Sequence, residues 1–91
     1  MAKAARHVHV TGRVQGVFFR AWTHEQAERL GVNGWVRNCP DGSVEAHLEG
    51  DEAAVNWLVD LIGDGPPRAR VANVRVSDAE VEGSESFEVR H

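Results

Sequence analysis

The chain has 91 residues, of which 42% are hydrophobic and 26% charged, so its length and composition predict one domain spanning residues 1–91. Fourteen acidic residues against ten basic ones give a net charge of −4, which argues against general affinity for nucleic acid or an anionic membrane. A single cysteine excludes an internal disulfide framework, and no apolar run is typical of a signal peptide or a membrane span, so the cytoplasm is the expected compartment.

The chain begins with a predicted strand, a turn and a helix. Residues 7–10 alternate with a period of two, which is typical of a strand with one buried face. Apolar positions then recur at helical spacing from Phe19 to Leu30, and Gly31 stands where a C-cap glycine ends a helix. Between strand and helix, residues 12–20 read Gly-Arg-Val-Gln-Gly-Val-Phe-Phe-Arg.

This motif has the features of an anion site. Backbone N–H groups in a turn and in the first turn of a helix have no partner within the helix, and the helix dipole favours negative charge near them. The motif delivers Arg20 to that position, where a guanidinium can bind phosphate oxygens bidentately. We therefore expect a ligand that carries a phosphate group.

Residues 32–38 and 43–49 predict two strands joined by a hairpin turn. The pair Asp41-Gly42 between them is a strong hairpin signal. Polar and apolar residues alternate in the second of these strands, so only one face of the sheet is apolar. We expect helices to cover that face alone and the opposite face to meet solvent.

The remainder predicts a second helix and a fourth strand. Asp51 can cap the helix, and residues 71–76 read as the strand. Residues 87–90 can add an edge strand. The helix residues expected to pack are Val55, Trp57, Leu58, Val59 and Ile62. The order βαββαβ is that of a ferredoxin-like α+β sandwich, with an antiparallel sheet of four to five strands and two helices on one face.

Topology predicts that Arg20 and Asn38 lie together. Right-handed crossovers place the end of the second strand beside the start of the first helix, and the pleat puts Asn38 on the same face as Val36. An arginine with backbone N–H groups can hold a phosphoryl group, while an uncharged amide can orient an attacking water. Such a pair suits a substrate with a good leaving group, such as a carboxylic-phosphoric anhydride.

The motif at residues 12–20 resembles the acylphosphatase family. The resemblance continues in residues 34–38, which read Gly-Trp-Val-Arg-Asn, and in residues 41–45, which read Asp-Gly-Ser-Val-Glu. It extends through residues 49–50 to residues 87–90, which read Phe-Glu-Val-Arg. The resemblance therefore covers nearly the whole chain.

The resemblance implies an enzyme that hydrolyses small acyl phosphates to a carboxylate and inorganic phosphate. In the family, the residues that match Arg20 and Asn38 bind the phosphate and position the water, and no metal is used. The expected phosphate-binding loop comprises Gln15, Gly16, Val17, Phe18 and Phe19. We expect no cofactor, no nucleic-acid or membrane partner, and a monomer. The adjacent phenylalanines are expected to divide, one packing in the core and the other lining the site.

Histidines provide the one pattern typical of metal ligands. His7, His9 and His47 are expected on one sheet face near Glu45 and Glu49. Solvent-facing strand positions are commonly polar without any ligand, so we expect no metal site there.

Two other phosphate-binding motifs fail. A cysteine phosphatase requires Cys-x5-Arg, but the sixth residue after Cys39 is Glu45, which would repel phosphate. A Walker A loop fails because no Gly-Lys-Ser/Thr sequence follows Gly12 or Gly16.

The non-enzyme alternatives share the same topology. An RNA-recognition domain requires stacking aromatic residues and a basic surface, whereas the third strand offers Glu45, His47 and Glu49. A non-catalytic anion or phosphate-binding module of the same fold remains the main alternative, and a turnover assay distinguishes it from an enzyme.

Overall fold

The computed structural model describes residues 2–91, which form five strands and two helices. These are β1 (Lys3–Arg13), α1 (Phe19–Leu30), β2 (Asn33–Asn38), β3 (Val44–Asp51), α2 (Glu52–Asp64), β4 (Arg70–Asp78) and β5 (Phe87–Arg90). Neither helix is long and apolar enough to cross a membrane.

The five strands form one sheet in the order β4-β1-β3-β2-β5. Neighbouring strands from β4 to β2 are antiparallel, while β5 pairs parallel to β2. The predicted ferredoxin-like α+β class is confirmed, although the sheet is mixed rather than strictly antiparallel. The parallel pairing follows from topology, because β4 runs opposite to β1 and β2, and the chain then crosses the sheet and returns beside β2 in the direction of β2. The end of β5 therefore lies at the same end of the sheet as the start of α1.

Both helices pack on one face of the sheet. The buried stripe of α1 contains Phe19, Thr23 and Ala27, and the Thr23 hydroxyl donates to the Phe19 carbonyl at 2.8 Å, so no polar group is left without a partner there. The helix ends at Gly31, whose φ of 72° is the left-handed C-cap conformation predicted for it. The residues of α2 that are buried are Val55, Leu58 and Ile62.

One packing prediction for α2 is wrong. Trp57 is 62% exposed, because α2 covers the sheet with the stripe that contains Val55, Leu58 and Ile62, and Trp57 lies outside it. Helical spacing defines a stripe of about 100°, and a large apolar residue beside that stripe can remain at the surface.

The sheet face opposite the helices, here called the far face, is partly covered, contrary to the expectation that it meets solvent. His47 and Glu49 are only 3% and 4% exposed. The segment 79–86 between β4 and β5 crosses this face, and the backbone N–H groups of Glu82 and Ser84 donate to the Glu49 carboxylate. Burial raises the pKa of Glu49, but hydrogen bonds from His47 and from these N–H groups outweigh it and hold the pKa below its ordinary 4.5.

Candidate active site

The loop between β1 and α1, residues 14–18, supplies a row of backbone N–H groups. Gly16 and Phe18 have φ values of 72° and 63°, whereas Gln15 and Val17 do not have positive φ. Alternation of left-handed with ordinary φ turns successive N–H groups toward one side, as in an anion-binding nest. Within residues 2–91, none of the N–H groups of residues 15–19 donates a hydrogen bond.

The Gln15 side chain joins this loop to the β2–β3 hairpin. Its Nε2 donates to the carbonyl oxygens of Cys39 and Ser43, both at 2.8 Å. The hairpin turn is itself closed by a hydrogen bond from the Cys39 N–H to the Ser43 carbonyl at 2.8 Å. The loop is therefore held beside Asn38, the last residue of β2.

Arg20 lies in the first turn of α1, and its guanidinium is held by the end of the chain beyond β5. Nη1 donates to the Arg90 carbonyl at 2.8 Å and lies 3.2 Å from Nδ1 of His91. These contacts use Nη1 and leave the N–H groups of Nε and Nη2 without a partner in residues 2–91. Arg20 is thus fixed in position and still has donors for an anion.

Asn38 is placed by the register of β2 against β3, in which it pairs with Val44. Val36 lies two residues earlier on the same face and is fully buried beneath the helices. The Asn38 side chain is half-buried, and within residues 2–91 its amide forms no hydrogen bond. An amide held at this position without a partner is available to a ligand or a water molecule.

One cleft of about 310 Å³ brings several of the predicted site residues together. Of those residues, Gly16, Phe18, Phe19, Arg20 and Asn38 line it. Phe18 is 72% exposed and Phe19 only 2% exposed, which is the division expected for the two phenylalanines. Among residues 2–91, no acidic side chain lines the cleft, so none of them repels a phosphate there.

Two residues of the predicted loop do not line this cleft. The Val17 side chain is buried and borders a neighbouring cleft, and the Gln15 side chain is engaged with the hairpin. Their predicted role concerns only their backbone N–H groups. Gly12, which precedes this loop, has a φ of 123°, and an added Cβ would lie 2.3 Å from the Arg70 carbonyl oxygen. Gly12 therefore allows β4 to approach β1 at a β-bulge.

The contribution of β5 to this cleft was not predicted from the sequence. Val89 and His91 line it, and the Arg90 carbonyl holds Arg20. The edge strand itself was predicted, and its parallel pairing with β2 is the feature that would have indicated this contact. A carbonyl oxygen is the same in every residue type, so no residue pattern marks it.

Two of the three histidines expected on the far face pair with a carboxylate, while Nε2 of the third, His9, lies 2.8 Å from the Ser43 hydroxyl. His7 Nε2 lies 2.8 Å from the Glu45 carboxylate, and His47 Nε2 lies 3.0 Å from that of Glu49. Burial raises the pKa of Glu45, but hydrogen bonds from His7 and Arg37 outweigh it and lower the pKa below 4.5. Across residues 2–91, His, Cys, Asp and Glu side chains form no group of three that could hold a metal ion.

Comparison with known proteins places this geometry in a family. The model of the acylphosphatase family matches residues 6–89. An acylphosphatase from Rubrobacter xylanophilus is 58% identical over 84 residues, which are 91% of this chain and 76% of the relative. One from Haloarcula marismortui is 51% identical over 90 residues, which are 99% of each chain.

A solved structure has the same fold. The structure of an acylphosphatase from Coxiella burnetii superposes with a TM-score of 0.93 at 40% identity, covering 97% of this chain and 93% of that one. These matches confirm the predicted enzyme class and do not favour the non-catalytic alternative. The chain belongs to the acylphosphatase family.

Proposed function

We propose that this chain hydrolyses the carboxyl-phosphate anhydride of small acyl phosphates by direct, metal-free attack of water. Arg20 and the backbone N–H groups of residues 15–19 bind the phosphate, and Asn38 positions the water. One observation carries the proposal: N–H groups without a partner, a guanidinium with free donors and an unengaged amide meet at one cleft.

The phosphate half of the substrate is held by donors alone. The Nε and Nη2 groups of Arg20 are oriented because Nη1 is fixed on the Arg90 carbonyl. A guanidinium oriented in this way forms paired hydrogen bonds to two phosphate oxygens, and the loop N–H groups and the dipole of α1 add to the positive field. The same donors stabilise the charge that spreads over the equatorial oxygens in the transition state.

The water is positioned by an amide rather than activated by a base. The side-chain carbonyl oxygen of Asn38 can accept a hydrogen bond from the water, while the side-chain N–H donates to a phosphate oxygen. Together these bonds align the water oxygen with phosphorus. The water oxygen bonds to phosphorus as the phosphorus–oxygen bond to the acyl group breaks. The carboxylate leaves with the bonding electrons, and the protons of the water remain on inorganic phosphate or pass to solvent. A carboxylate is a stable anion, so no general acid is required.

The setting of the reaction follows from charge and size. We propose that residues 1–91 act as one domain and as a monomer in the cytoplasm, with a small acyl phosphate as substrate and inorganic phosphate as product. The net charge of −4 supports the absence of a nucleic-acid partner, because such partners require an extended basic surface.

The test is release of inorganic phosphate from acetyl phosphate, compared with release from β-glycerol phosphate. We expect rapid hydrolysis of the anhydride and essentially none of the monoester, since a carboxylate leaves as a stable anion whereas an alkoxide must be protonated as it leaves. EDTA should not change the rate. Arg20→Ala should abolish most activity and weaken inhibition by phosphate, whereas Arg29→Ala, a matched change at the exposed far end of α1, should not. Comparable turnover of both substrates would overturn the mechanism.

A further inference from the structure

A second cleft, of about 480 Å³, also borders the phosphate loop, at Gly16 and Val17. Three arginines dominate its lining, and the rest is backbone and small apolar side chains. The lining residues are Arg13, Gly16, Val17, Pro67, Arg68, Ala69 and Arg70. We refer to it as the arginine cleft.

Within residues 2–91, no carboxylate forms an ion pair with the arginines of this cleft. Arg13 and Arg70 are direct partners in the antiparallel pairing of β1 with β4, where like charges repel each other. Among residues 2–91, neither they nor Arg68 form a salt bridge or a side-chain hydrogen bond. Arg37, by contrast, pairs with a carboxylate.

The close approach of these arginines is built into the backbone. The register of β1 against β4 shifts at Gly12, and a Cβ at Gly12 would lie 2.6 Å from the Ala72 nitrogen as well as against Arg70. The β-bulge at this point therefore keeps the two strand ends together with both guanidinium groups at one edge. A protein of net charge −4 concentrates three positive charges here.

The chemistry of the cleft selects an anion. Arginine remains protonated at any physiological pH, and its planar fork matches carboxylate and phosphate oxygens. A group with oxygen atoms and negative charge relieves the repulsion between Arg13 and Arg70 and gains hydrogen bonds from both. A cation or an apolar group does neither.

The arginine cleft adjoins the active-site cleft, because Gly16 lines both. We propose that the arginine cleft is a subsite for a second anionic group, a phosphate or a carboxylate, carried on the acyl part of the substrate. The proposal rests on the proposed function. It defines the substrate class as acyl phosphates that carry a negative charge at both ends.

The test compares three substrates with the same chain length: hexanoyl phosphate, adipoyl phosphate, which ends in a carboxylate, and 6-phosphohexanoyl phosphate. We expect kcat/KM for one or both of the doubly charged substrates to exceed that for hexanoyl phosphate by tenfold or more. The carboxylate and phosphate arms identify which anion fits the subsite better. The preference should shrink several-fold in 0.5 M salt, because the arginines are exposed and their field is screened.

Arginine variants test whether the preference for doubly charged substrates arises from the arginine cleft. In the triple variant Arg13→Gln, Arg68→Gln, Arg70→Gln, the ratio of kcat/KM values should fall to within about twofold of one. Arg75→Gln, an equal change of charge at an exposed position further along β4, should keep the wild-type ratio. Circular dichroism verifies folding, and the single variants Arg13→Gln and Arg70→Gln provide the same comparison if the triple variant does not fold.

The experiment distinguishes failure of the subsite proposal from failure of the proposed function. If no substrate is hydrolysed, both the proposed function and the subsite are overturned. If hexanoyl phosphate is hydrolysed and the charged substrates gain nothing, only the subsite is overturned. A preference that survives in the triple variant, or that Arg75→Gln removes equally, also overturns it.

Discussion

Replacing Gln15 by alanine removes the side chain that joins the phosphate loop to the hairpin. The change deletes two hydrogen bonds of 2.8 Å but leaves neither acceptor without a partner. The Ser43 carbonyl still accepts from the Cys39 N–H, and the Cys39 carbonyl still accepts from the Gly42 N–H at 3.1 Å. The loss is therefore that of two ordinary hydrogen bonds, about 1–2 kcal/mol in the free energy of unfolding, without a desolvation penalty.

The effect on catalysis should be larger than the effect on stability suggests. The side chain fixes the distance between the loop N–H groups and Asn38, and a displacement of about 1 Å between catalytic groups can cost on the order of 10²-fold in rate. We expect Gln15→Ala to lower kcat for acetyl phosphate by roughly 10- to 100-fold. Inhibition by inorganic phosphate should change less, because the N–H groups and Arg20 remain.

The assay combines urea denaturation with steady-state kinetics. For a domain of this size, the expected loss in the free energy of unfolding corresponds to a decrease in Tm of roughly 5 to 15 °C. Gln26→Ala is the matched control, since Gln26 only accepts a 3.4 Å hydrogen bond from Arg29 on the same helix. It should change the free energy of unfolding by less than about 0.5 kcal/mol and leave kcat unchanged. A folded Gln15→Ala protein with normal stability and kcat would refute the reasoning.

Two further predictions concern the sheet. Glu49→Gln should lower the free energy of unfolding at neutral pH by about 2–3 kcal/mol, because three hydrogen bonds lose their charged acceptor. The Glu49 pKa is lowered in the folded protein, so this contribution is complete above pH 4.5 and is lost as the pH falls through the folded pKa; urea denaturation across that range should show the difference between wild type and variant disappearing. Gly34→Ala should prevent folding or cost more than about 3 kcal/mol, because its Cβ would lie 1.8 Å from the His47 carbonyl oxygen at a φ of 137°. The control Gly42→Ala, at a φ of 93° with open space around it, should cost only about 1–2 kcal/mol by the same denaturation measurement.

Much of the fold was predictable because local signals agreed with the topology. Helical spacing and Gly31 located α1, and the Asp41-Gly42 pair located the hairpin. The extent of β1 was less visible: it begins at Lys3 rather than near His7, since small residues such as Ala4 carry little strand signal. Burial on the far face was not predictable, because it arises from a segment distant in the sequence.

The candidate site, like the fold, could be predicted from the sequence only in part. The positions of Arg20 and Asn38 at one edge followed from right-handed crossovers and the pleat of β2, and the structure places both at one cleft. The fixing of Arg20 by the Arg90 carbonyl did not follow, because it is a backbone contact with a parallel edge strand. The arginine cleft also had no sequence signature, since strand register brings Arg13 and Arg70 together.

The proposed catalytic role of Asn38 provides the most direct test of the account. The measurement is kcat for acetyl phosphate together with the inhibition constant of inorganic phosphate in Asn38→Ala, with folding verified by circular dichroism and Asn73→Ala on exposed β4 as the matched control. We predict that kcat falls by on the order of 10²-fold or more, as for loss of one preorganised polar group, while phosphate still binds within about twofold of wild type. A folded Asn38→Ala protein with nearly normal kcat would contradict the account.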